Sequence, residues 1–163
     1  MKTLKKSTKH SCNAMEKSDV WAHSKWFRPS ENWGNPYVIK KDLLDKLNEL
    51  RSILMVPIHV NSGTQGIHAK RSAHYDGYAA DVVIPGLDMH PFDLFVLMVK
   101  LGFRGIGYYP EWQHGGKIIG GWHLDMSHER VAYWVGYHIK GKFQYKNMSF
   151  KALSDLGFFK PST

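Results

Sequence analysis

Only one cysteine, Cys12, occurs among the 163 residues, which excludes an intramolecular disulfide framework and any multi-cysteine zinc or iron–sulfur site. Long apolar runs are also missing: nothing approaches the ~20 residues needed to span a bilayer. Acidic residues are the minority, 14 against 22 lysines and arginines, leaving a net charge of +8. A basic chain is drawn to polyanions such as nucleic acids, anionic lipids and bacterial wall polymers, and charge alone does not choose among them. The cations are scattered in pairs (Lys5-Lys6, Lys40-Lys41, Lys70-Arg71), and no nucleic-acid motif accompanies them. The basic N-terminus has no apolar segment of the secretory kind. The expectation is therefore a protein made in the cytoplasm, monomeric, with no membrane span and no nucleic-acid partner.

Hydrophobic residues make up 43% of the chain and aromatics 13%, enough for a real core at this length. Residues 1–37 read as a polar arm followed by an irregular aromatic segment, and residues 38–163 as a single domain. From Val38 to Leu54, Ile39, Leu43, Leu47, Leu50 and Leu54 recur at helical spacing. Val56 to Val60 reads as a short strand, followed by a Gly-, Ser- and His-rich loop from Asn61 to Gly77. Tyr78 to Ile84 is strand-like, and Pro91 opens a second helix that ends near Gly102. Phe103 to Tyr109, Ile118 to Met126 and Val131 to Ile139 are further strands, and Ser149 to Leu156 a short terminal helix. Helices interleaved with a hairpin-like second half favour α+β over a doubly wound parallel sheet.

Two stretches carry chemistry: Ser72 to Val83, SAHYDGYAADVV, and Gly121 to Met126, GWHLDM. Asp81 falls inside an apolar strand, where a carboxylate needs a counter-charge or a metal to offset its lost hydration. His123 and Asp125 are two apart on a strand and share a face. Two histidines and a carboxylate (His74, Asp81, His123) suit zinc with a fourth position left to water. Spacing alone leaves alternatives open: Asp81 paired with Lys70 or Arg71, and Asp125 as a strand-edge charge. His59, His68, His90, His128 and His138 have no carboxylate at suggestive spacing and read as surface or loop residues. Trp21, Trp26, Trp33 and Trp112 read as core aromatics, with a glycan-stacking surface as the alternative.

The order and spacing of these stretches resemble the M15 zinc peptidases. The framework agrees as well: Asn61-Ser62-Gly63 after a strand, Gly105-Ile106-Gly107-Tyr108-Tyr109-Pro110, and Tyr133-Trp134 after the HLD strand. The likeness spans roughly residues 38–138 and is greatest to the M15A C-terminal branch, found in phages and bacterial wall enzymes. It implies a hedgehog/DD-peptidase fold, an antiparallel sheet flanked by helices, with His74, Asp81 and His123 as zinc ligands. The implied substrate is the peptide stem or cross-bridge of peptidoglycan, and the implied setting a phage endolysin reaching the wall after release. Two departures stand out. Many relatives carry an arginine just after the Ser-Gly turn, where this chain has Thr64-Gln65, so Arg71 becomes the substitute. Many also place a carboxylate three residues before the last zinc histidine, where this chain has Gly120. Asp125 is then the leading base, or a hydrogen-bond support for a ligand histidine, with Glu111 and His114 behind it. The alternative to an enzyme is a zinc-stabilised wall-binding or phage structural module.

Overall fold

The computed structural model describes residues 20–127 and 131–156. The polar arm, Cys12 and His128 therefore lie outside the described residues. Helix α1 (Lys41–Leu54) buries Leu43, Leu44, Leu47 and Leu50 and ends at Met55, which takes a left-handed conformation. It starts later than the apolar spacing predicts. Asn35 caps a single 3-10 turn at Pro36–Val38, and Ile39 and Lys40 then run extended before the helix begins. Helix α2 (Pro91–Lys100) has His90 accepting from the Phe92 N–H and proline in its first turn, and it buries Leu94 and Met98. The short α3 (Phe150–Asp155) is capped by Ser149.

Six strands build the main sheet: β1 (His59–Ser62), β2 (Ala79–Val83), β3 (Gly105–Tyr109), β6 (Gly121–Asp125), β7 (Ala132–Ile139) and β8 (Lys142–Asn147). Their order is β1-β2-β6-β3-β7-β8, and a separate small hairpin pairs β4 (Gln113–His114) with β5 (Lys117–Ile118). The α+β class holds. The sheet is mixed rather than wholly antiparallel, because β3 and β7 run parallel while the remaining pairs are antiparallel.

Two strands differ in their bounds from the sequence reading, and one strand is added to it. Strand β1 begins past Pro57, whose missing N–H suits the approach to a strand better than its ladder, and it runs on through Asn61 and Ser62. The span from Ile118 to Met126 is broken at Gly120, whose φ of +74° turns the chain. Strand β8 is an addition. Lys140 and Gly141 have φ of 51° and 74°, which suits a two-residue hairpin turn that returns the chain against β7. Its KFQYKN sequence has no continuous apolar run, because it is an edge strand.

The two sheet faces are unlike. Val82, Leu124, Ile106 and Val135 share one apolar core with leucines of α1 and with Leu94 and Met98 of α2. Phe27 and Trp33 of the aromatic segment are fully buried in that core. The opposite face collects the alternate residues. Asp81 pairs with His123, His123 with Gly107, and Gly107 with Trp134 across four adjacent strands.

Candidate metal centre

Strand β2 brings Asp81, and the central strand β6 brings His123, to directly opposed register positions. The third member, His74, comes from the loop before β2. That loop is tied at both ends. Gly77 donates to the His74 carbonyl at 3.0 Å and accepts from the Lys40 N–H at the start of α1, also at 3.0 Å. At the other end, the Thr64 N–H bonds the Trp33 carbonyl at 2.7 Å, and the Gln65 amide bonds Asn32.

The resulting triangle is tight. His74 Nε2 lies 3.2 Å from Asp81 Oδ1 and 3.1 Å from His123 Nδ1, and His123 Nδ1 lies 3.0 Å from Asp81 Oδ1. Ligand atoms about 2.0–2.1 Å from a tetrahedral zinc stand about 3.3 Å apart, so the spacing fits such an ion. The far nitrogens of both rings are already engaged. His74 Nδ1 is 2.5 Å from the Gly63 carbonyl, and His123 Nε2 is 3.2 Å from Asp125 Oδ2. A carbonyl or carboxylate at that position fixes the ring N–H on the far nitrogen and turns the other lone pair inward. Three lone pairs then converge, with both imidazoles buried. Such an arrangement calls for a cation.

In the absence of metal, a proton meets part of that need. Burial pulls the His123 pKa down, but the hydrogen bonds that its ring donates to Asp125 and then Asp81 outweigh it and lift it from 6.5 to about 9. Asp81 moves the other way: burial raises it, and the hydrogen bonds of His123 and His74 hold it well below the usual carboxylate range. Asp125 is also lowered, against its burial, by His123 and then Ser127.

His68 is a loop residue, as its sequence context predicts, but it is half-buried and also belongs to this neighbourhood. One ligand atom each from His68, His74 and Asp81 falls within 4.8 Å of the others, so this His/Asp cluster can bind a metal ion. The His68 ring lies 3.8 Å from that of His74 and within 8° of parallel. An imidazole lone pair lies in its ring plane, so the two stacked lone pairs run side by side. The tighter triangle with His123 is the better ligand set. Nothing in the loop sequence around Gly66 flags His68, because a stacking partner six residues away follows no helical or strand period.

The remaining candidates are placed as follows. Asp125 uses Oδ2 for His123 and Oδ1 for the Ser127 N–H and hydroxyl, at 2.9 and 2.7 Å; it braces the ligand from across the ring. Arg71 lines a cavity of about 400 Å³ together with Asp76, Tyr78, His123, Asp125 and Ser127. Glu111 is bound to His138, at 3.0 Å to its N–H and 2.5 Å to its ring. His114 sits on the small hairpin with its ring 4.8 Å from that of His59.

Comparison with protein-family models finds no match for this chain, and comparison with curated proteins finds none either. Among the described residues, no helix is long and apolar enough to cross a membrane.

Proposed function

We propose that this chain is a zinc-dependent peptidase that hydrolyses an amide bond in the peptide stem or cross-bridge of bacterial peptidoglycan. The observation that carries the reading is the inward convergence of His74 Nε2, Asp81 Oδ1 and His123 Nδ1 at 3.0–3.2 Å, with both far nitrogens engaged. A zinc ion held there supplies Lewis acidity toward a carbonyl and acidifies a water to a pKa of about 7. The M15-like order of the motifs supports peptidoglycan peptide as substrate, and a phage endolysin is the setting that fits.

The chain's own residues divide the remaining work. Asp125 and the Gly63 carbonyl hold the ligand rings in one tautomer. Arg71, at the wall of the cavity beside His123, takes a substrate carboxylate in the paired hydrogen bonds that a guanidinium favours. His68 carries a nitrogen within 4.8 Å of the ligand atoms of His74 and Asp81 and accepts the proton that the attacking water gives up. The Gln65 carbonyl holds its Nε2 at 2.8 Å, so Nδ1 is the acceptor; the role passes to it because Gly120 has no side-chain base and both oxygens of Asp125 are engaged.

The test is a digest of purified Gram-negative and Gram-positive peptidoglycan, with and without chelator, read by mass spectrometry. A chelator-sensitive new peptide terminus is expected, and its mass names the bond. Arg71→Ala should retain zinc and raise KM, while His68→Ala should retain zinc and lower kcat. The engaged Asp125 and the glycine at 120 also favour a second reading, a zinc-stabilised wall-binding module. Zinc-loaded, folded protein that binds wall and releases no peptide would establish that reading and sink the peptidase.

A further inference from the structure

Among the described residues, the sheet face that carries the metal centre has no helix-borne core over it. Beyond His123 it is floored with aromatic rings. Gly107 and Gly136 make room for them: a Cβ on Gly107 would meet the Trp134 indole. A Cβ on Gly136 would lie 2.6 Å from the Tyr109 ring and 2.9 Å from Phe143. Gly121 does the same for Trp112, whose ring a Cβ there would strike. The glycines leave the room that these rings occupy above the strand backbone, where they pack side by side.

That surface starts at the metal centre. The Trp134 ring is 5.1 Å from that of His123, and its Nε1–H donates to the Tyr109 hydroxyl at 3.0 Å. Tyr109 stacks on Trp112 at 4.5 Å and 7°, and lies nearly parallel to Phe143 at 6.3 Å and 16°. Tyr145 closes the array 5.1 Å from Phe143. Phe143 is 43% exposed and Tyr145 65%, which is a large apolar area to leave in water on an edge strand.

We propose that this aromatic floor is a saccharide subsite, which holds the sugar strand of the wall polymer while a peptide branch lies at the metal centre. The proposal rests on the peptidase reading and adds a subsite to it. A pyranose presents flat C–H faces that suit the negative face of an aromatic ring, and the Glu111–His138 pair at the rim offers polar partners for hydroxyl groups. Charge separates a sugar from a nucleic acid, whose stacked bases also favour such platforms but bring phosphates that need cations alongside. The cations of β8 point elsewhere. Lys142 and Lys146 stand opposite Ile139 and Val135, on the other face, and Lys146 lies over the Tyr137 ring. On the aromatic face, β2, β6, β3, β7 and β8 carry no lysine or arginine and two carboxylates, Asp81 and Asp125. A neutral N-acetylated hexosamine strand fits that balance.

The experiment is a titration of the chelated full chain with the tetrasaccharide of N-acetylglucosamine, followed by tryptophan fluorescence and amide NMR. Saturable binding is expected, with shifts at Trp112 and Trp134. Tyr145→Ala and Phe143→Ala should each weaken it about tenfold, and Phe143→Trp should restore it. Both side chains are exposed, so an unchanged melting temperature will show that the variants fold. No binding, or binding indifferent to both alanine substitutions, overturns the subsite; so does tighter binding of a thymidine octanucleotide on the same residues. Because the probe has no peptide and the protein no metal, failure here is distinct from failure to cleave wall.

Discussion

Asp125 shows how much of the candidate metal centre depends on a residue that stands behind a ligand ring. Its Oδ2 holds His123 Nε2 and its Oδ1 is held by Ser127, so it sets the tautomer that turns Nδ1 toward Asp81. Asp125→Asn keeps an acceptor but removes the charge. Zinc affinity should fall about 10- to 100-fold while the fold persists, as isothermal titration will show. His123 carries a second prediction. Its pKa is raised to about 9, so in the metal-free protein its contribution to stability is complete below its ordinary 6.5 and is lost as pH climbs through 9. Zinc needs the neutral ring, so binding at pH 7 should expel about one proton. Calorimetry in buffers of different ionisation enthalpy measures that number. Zinc affinity should rise with pH and level off above about 9; an affinity flat from pH 6 to 9 would remove His123 from the ligand set.

At the scale of elements, the loop before β2 is the part whose geometry the strands do not dictate. Its exit depends on Gly77, with φ of +74°, where a Cβ would lie 2.6 Å from the Val38 carbonyl carbon and 3.0 Å from Ile39 Cα. These are backbone atoms that cannot rotate away. Gly77→Ala should therefore cost on the order of 2–4 kcal/mol in urea denaturation, and should weaken zinc because the same turn seats His74. A loss below about 0.5 kcal/mol would mean that the loop re-forms freely. The helical and strand periods of α1, α2, β2, β3, β6 and β7 are legible in the sequence because one side of each is buried in a common core. Strand β8 is not, since its two aromatic residues, Phe143 and Tyr145, stand exposed among polar neighbours and no buried residue marks the segment. The parallel pairing of β3 with β7 is equally silent, because it is fixed by which edge of the sheet remains free once β6 has paired with β3.

For the whole molecule, the metal centre joins β2, β6 and a loop anchored on the aromatic segment, so occupancy should be felt as global stability. Zinc at a hundred times its dissociation constant adds about 2.7 kcal/mol, or roughly 5–10 °C in melting temperature for a domain of this size. Calorimetry with zinc and with chelator checks the shift, and Asp81→Asn should abolish it. A melting temperature indifferent to both would leave the triangle as a hydrogen-bonded cluster and nothing more. Residues 20–37 matter here although the M15 resemblance does not reach them. Buried Trp33 holds Thr64 through its carbonyl, and the neighbouring Gly63 carbonyl holds His74.

By itself the sequence determined which side chains are available for metal chemistry, and that His123 and Asp125 share a strand face, because a period of two leaves no other choice. Periodic burial, every three to four residues in the helices and on alternate residues in the strands, likewise determined where the principal helices and most strands run. Only the tertiary structure decided that His68 stacks on His74, that Glu111 is taken by His138, and that aromatic rings pack over glycines beside the site. Those are contacts between segments far apart in the chain or in irregular loops. Their geometry follows from how the packed core sets the elements against one another, and no local pattern encodes it.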